Sequence, residues 1–255
     1  MNTVLATDSV PQLASALFGV VRTRKLTCRW CADPTMGFAA CRRCTGHRRI
    51  AGVADLIVPL VYAIAGTESA ALLRGYKNHP SGAVRLQYTD EITCLVQSVL
   101  SRHEDCLAAK IGMPITVRTT IPSLTYRPGI HPFTTVVNAS GVTTAEVLVP
   151  GPSATCHRIV TADKFAVSST SAVAGRHVLV LDDLWTTGSN AQSAAVVLRA
   201  AGASAISVMV VGRWLNPTYP TTKAFIDRYL HAGFDPRQCP LTGGACAPTP
   251  ASTGR

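Results

Sequence analysis

Four apolar residues in succession, Val178, Leu179, Val180 and Leu181, break off at a pair of acids, Asp182 and Asp183. The chain then turns polar through Thr186, Thr187, Gly188 and Ser189. So short and Val-rich a run predicts a buried strand of a parallel sheet. From Ala191 to Ala201 small and aliphatic residues dominate, predicting a helix directly behind the turn, with Gly202 stopping it. Comparable apolar stretches predict strands over 53–65, 115–121, 146–149 and 205–211. Helical spacing joins Val10, Leu13, Ala14, Leu17, Val20 and Val21, and again Ile92, Leu95, Val96, Val99 and Leu100 in a helix running from about Gly82 to Ser101. Shorter helices are predicted over 67–76, from Pro132 to Gly141, and over 223–230.

Strands that alternate with helices predict an α/β fold around a doubly wound, mostly parallel sheet. Residues 1–50 read as an N-terminal helix and cysteine module, 51–231 as the α/β domain, and 232–255, where Gly, Pro and Thr dominate, as a loose tail. No internal repeat is present. With 255 residues, 47% hydrophobic and 15% charged, the chain can bury a sizeable core. The apolar stretch Leu56–Ala65 is interrupted by Pro59 and is too short to span a bilayer, so no membrane partner is expected. Asp8 precedes the first arginines, unlike a secretory signal, and the expected location is the cytoplasm.

The formal charge of +10 favours an anionic partner, either a phosphorylated small molecule or nucleic acid. The turn after Leu181 suits the first. A glycine at 188 lets successive N–H groups face one concavity, the following helix adds its positive end, and Thr186, Thr187 and Ser189 add hydroxyls. Adjacent acids on a strand point to opposite faces, so one can meet sugar hydroxyls while the other faces backbone or a divalent ion. A ribose 5-phosphate needs both halves. A generic turn with a solvated acid pair is the alternative.

Cys28 and Cys31, then Cys41 and Cys44, form two CxxC knuckles separated by nine residues. Two knuckles supply four soft ligands for a tetrahedral ion, which suits structural zinc; a redox dithiol would need only one pair. Around them stand Arg22, Arg24, Lys25, Arg29, Arg42, Arg43, Arg48 and Arg49 against Asp33, a local excess of seven positive charges. Such a module can ride on a phosphate backbone, with Trp30 and Phe38 stacking on bases, or the arginines can serve only as a solvated surface. Cys239 and Cys246 lack a second pair and read as free thiols.

Residues 178–190, VLVLDDLWTTGSN, resemble the binding signature for phosphoribosyl diphosphate (PRPP) of the type I phosphoribosyltransferases, with Trp185 and Asn190 departing from the usual residues. The N-terminal four-cysteine knuckle, the turn Gly75-Tyr76-Lys77-Asn78-His79-Pro80, the strand ending in Pro122-Ser123, the short strand at 163–167 and the signature follow one another as in the ComF family, a likeness over about residues 20–215. The resemblance implies a type I phosphoribosyltransferase-like sheet. It implies that Asp182 and Asp183 hold the ribose 2- and 3-hydroxyls at the catalytic centre, and that Thr186, Thr187, Gly188, Ser189 and Asn190 hold the 5-phosphate. Ser123 and Arg127 fall in the diphosphate loop, where relatives carry Arg-Gly-Phe-Asn and this chain has Arg-Pro-Gly-Ile-His131. Magnesium would accompany PRPP, a nitrogenous base would accept the sugar, and Pro150–Ala162 corresponds to a closing hood or to a plain surface connection. A binding protein without turnover, associated with DNA during DNA uptake, is the second reading. Hydrolysis by an unrelated α/β enzyme is the third.

Overall fold

The computed structural model describes residues 16–124, 129–153 and 158–247. Strands β1 (Phe18–Gly19), β2 (Leu56–Ile64), β7 (Ala205–Leu215), β6 (His177–Trp185) and β3 (Ile115–Thr120) form one sheet in that spatial order. All pairs are parallel except β1 with β2. The near-continuous apolar runs of β2, β6 and β7 follow from burial on both faces. On one face lie α2 (Glu68–Asn78), α3 (Gly82–Ile111) and α4 (Pro132–Ala139), whose Leu73, Val96 and Phe133 share a core with Leu179, Leu181 and Met209. The other face carries α5 (Ser189–Ala200), the cysteine module with its short α1 (Arg42–His47), and the ribbon β4 (Leu148–Pro150) and β5 (Phe165–Val167). Helix α6 (Pro220–Tyr229) closes one end through Phe225 against Tyr62. The molecule is therefore mixed α/β with a mostly parallel central sheet. No helix among the described residues is long and apolar enough to cross a membrane.

Four local expectations change. The first half of the helix expected over residues 10–21 lies outside the described residues, and its described half is not helical: Phe18 and Gly19 pair with Tyr62 and Val61 as β1. Helix α3 continues ten residues beyond Ser101, to Ile111, and stops at Gly112 in the left-handed region (φ 78°). Its last turns bury His103 and Leu107, and the histidine hides the stripe from hydropathy. Strand β6 runs past the two acids to Trp185, so the acids lie within the strand. Residues 232–247, expected to be loose, carry buried Phe234 and Cys239, and the Phe234 amide donates to the Leu17 carbonyl (2.7 Å).

Candidate functional site

Strand β6 ends in the turn Thr186–Gly188, from which α5 departs. Gly188 is the N-cap in the left-handed region (φ 76°), and a Cβ there would overlap the buried Trp185 indole. The bulky residue in the signature is thus accommodated: its ring packs beneath a glycine that no other residue can replace without displacing it. Thr186 is exposed. Thr187 and Ser189 are buried, with their hydroxyls 3.0 Å apart, and the Ser189 amide donates to Thr187 Oγ1 (3.3 Å). Asn190 offers Oδ1 to the fully buried Lys164 Nζ at 3.4 Å, and the same ammonium donates to the Ile159 carbonyl (2.5 Å). The Asn190 side chain is therefore tied to the loop before β5.

The two acids have different partners. Asp183 turns toward α2, where Tyr76 Oη donates to its Oδ2 (2.8 Å) and Lys77 Nζ lies 2.6 Å from the same oxygen. Burial opposes ionisation of Asp183, but Lys77, by charge and hydrogen bond, and Tyr76 outweigh it and hold the carboxyl below its usual range. Asp182 keeps partial exposure and accepts the Asp183 amide on Oδ1 (2.9 Å). Burial first, and the neighbouring carboxylate second, push the Asp182 carboxyl well above its usual range. One acid is thus held ionised while its neighbour resists ionisation. Tyr76 and Lys77 carried no assigned role in sequence; Lys77 sits in the last helical turn of α2, and its partner is more than a hundred residues away.

Strand β3 runs parallel beside β6, with Thr120 opposite Leu181, and the Ile121 amide donates to the Leu181 carbonyl (3.2 Å). Pro122 and the half-buried Ser123 therefore leave the sheet at the same edge as the acid pair. Arg127 lies outside the described residues, as does His157 of the expected hood. His131 caps α4, its Nδ1 accepting the Phe133 amide (3.3 Å), and its charge helps to lower Asp183.

Cys28, Cys31, Cys41 and Cys44 converge, their sulfurs all within 4.8 Å of one another. Thiolates about 2.3 Å from one ion stand about 3.8 Å apart at tetrahedral angles, and Cys31 Sγ and Cys41 Sγ are separated by 3.7 Å. The cluster is compatible with structural zinc. It also belongs to the core, packing with Ala54, Ile57 and Trp185, while Tyr62 Oη donates to the Ala32 carbonyl (2.8 Å). Arg213, almost wholly buried, connects this module to the turn after β6. Its Nη2 pairs with Asp33 (2.5 Å), and its Nη1 donates to the carbonyls of Trp185 (2.9 Å) and Thr186 (3.0 Å).

The basic face is thinner than its residue count. Arg22 is spent on the carbonyls of Pro240, Trp30 and Ile57. The guanidinium of Arg48 lies 3.5 Å from the centre of the Trp30 ring and that of Arg29 4.9 Å, so this indole already has stacking partners. Phe38, 72% exposed, and exposed Arg24, Lys25, Arg42, Arg43 and Arg49 remain at the surface.

No family model matches the chain, and no curated protein matches it. Among solved structures, the chain is similar to one described as the allosteric regulatory enzyme of purine biosynthesis, at 20% identity over 45% of this chain and 26% of that one, with a TM-score of 0.28. So partial a likeness leaves the fold to be argued from this chain's own strand order and turn geometry.

Proposed function

We propose that the chain is a type I phosphoribosyltransferase-like protein that binds PRPP at the edge formed by β6 and β3. The observation that carries this reading is the continuous sequence of acid pair, left-handed Gly188 and α5 N-terminus beside the Pro122-Ser123 exit of the neighbouring strand. In this reading the amides and hydroxyls from Thr186 to Asn190 receive the 5-phosphate, with the dipole of α5 behind them. Asp182 receives the ribose hydroxyls, and Asp183, anchored by Tyr76 and Lys77, keeps a negative charge under the sugar. Ser123 and Arg127 meet the diphosphate. Displacement of diphosphate from C1 by a nitrogenous acceptor builds positive charge on the sugar, which a fixed carboxylate stabilises. No group of three or more His, Cys, Asp or Glu side chains converges at this edge among the described residues, so magnesium would have to come with the ligand. The four-cysteine cluster holds structural zinc in the same reading.

Calorimetry with PRPP and magnesium tests binding: heat for the parent chain that disappears in Asp182→Ala/Asp183→Ala supports the reading, and no binding by the parent chain removes it. Diphosphate release across a panel of bases then separates transfer from binding alone. The second reading, a DNA-associated binding protein, draws on the exposed Phe38 and cations of the cysteine module. It requires a salt-dependent DNA shift that survives Asp182→Ala/Asp183→Ala and is lost on charge reversal at Arg42, Arg43 and Arg49.

A further inference from the structure

A second cluster of soft ligands lies on the opposite side of the sheet from the four-cysteine module. His103 and Cys106 stand one helical turn apart near the end of α3. Cys239 and Cys246 come from the C-terminal segment, which folds back on itself: the Cys239 amide donates to the Gly244 carbonyl (2.7 Å), and the Gly243 amide donates to the Cys239 carbonyl (2.8 Å). Gly243 takes a left-handed conformation (φ 76°) that makes so tight a return feasible. One ligand atom from each of the four residues lies within 4.8 Å of every other, the same closeness as in the four-cysteine cluster.

We propose that His103, Cys106, Cys239 and Cys246 form a second structural zinc site. Three thiols and one imidazole make a Cys3His set, a common tetrahedral zinc combination. The tautomer of His103 is fixed by its partner. Nε2 lies 2.9 Å from the Pro236 carbonyl, which can only accept, so Nε2 carries the proton and Nδ1 presents its lone pair. Nδ1 faces Cys246 Sγ at 3.4 Å. A sulfur and a nitrogen bound to one tetrahedral zinc stand about 3.5 Å apart. Donation of the second ring nitrogen to a backbone carbonyl is also the arrangement that orients a ligating histidine. Burial agrees with a structural role, His103 and Cys239 being almost wholly enclosed while Cys246 closes the site from outside. Binding replaces thiol protons by the ion and leaves no open position for a reacting group. The ion fastens residues 234–246 to α3, and through Arg22 on the Pro240 carbonyl it also fastens the approach to the first cysteine pair.

The full chain, purified under reducing conditions, is tested by elemental analysis and by chelator titration of zinc released on thiol blockage. The parent should carry about two zinc ions per chain, and Cys246→Ser about one. Cys28→Ser/Cys31→Ser should retain about one, which distinguishes the sites. Cys246 is exposed, so its variant tests the site without opening the core; Cys239→Ser, checked for folding by circular dichroism, should show the same loss. Cobalt substitution supplies a second readout, since Cys246→Ser should weaken the thiolate-to-cobalt absorption of the doubly loaded chain. Unchanged zinc in Cys246→Ser overturns the proposal, and so does a disulfide among Cys106, Cys239 and Cys246 in protein kept reduced.

Discussion

The acid pair gives two side chains of one type opposite stability signatures. Asp183, held below its usual range by Lys77 and Tyr76, adds stability above the unfolded value of about 3.9, lost as pH falls through its folded value. Asp182, pushed upward, does the reverse: the folded chain loses stability as pH rises above that unfolded value toward its folded one. Lys77→Met should therefore lower stability at pH 7 by about 1–3 kcal/mol, and Asp182→Asn, which keeps the acceptor for the Asp183 amide, should raise it by about 1 kcal/mol. Both differences should shrink toward pH 4 in urea titrations; a destabilised Asp182→Asn at pH 7 would contradict the assigned strain. Gly188→Ala forces a left-handed residue and an overlap with Trp185, and should destabilise by about 2 kcal/mol or more. The same change should cost less in a Trp185→Ala background, where the overlap is relieved.

Among the elements, β6 and α5 were legible because each obeys its own period and a glycine marks the junction between them. The acid pair and the cysteine knuckles were legible for the same local reason: their chemistry lies within a few residues. What escaped depends on distance along the chain. Lys77 closes α2 and acquires meaning only when the sheet brings Asp183 to it. Helix α3 was expected to end near Ser101 because its last buried turns carry His103 and Cys106 in place of aliphatic residues, and their partners come from the C-terminal segment. Arg213 lies beyond the strand expected over 205–211 but inside the observed β7, where it joins the cysteine module to the turn after β6. Arg213→Leu leaves Asp33 and the carbonyls of Trp185, Thr186 and Trp214 without this donor and should destabilise by about 3 kcal/mol. Hydrogen exchange should quicken first at the amides of residues 186–189, and an unchanged rate there would sever the two elements.

For the whole molecule, the cysteine module is not a separate bead on the α/β domain. Its sulfurs share a core with the sheet, and its Asp33 holds the arginine that holds the turn. In the proposed reading, stripping zinc from this cluster should raise exchange at the Thr186–Ser189 amides and weaken PRPP binding by about tenfold, the equivalent of about 1.4 kcal/mol. Arg213 then has a consequence in the other direction. Coupling between two sites is reciprocal, so a ligand held at the turn after β6 in the proposed reading, by fixing Arg213, should in turn slow the escape of zinc from the four-cysteine cluster. A saturating phosphoribosyl ligand would therefore act as a metal-retention factor, measurable as a slower transfer of zinc to an external chelator.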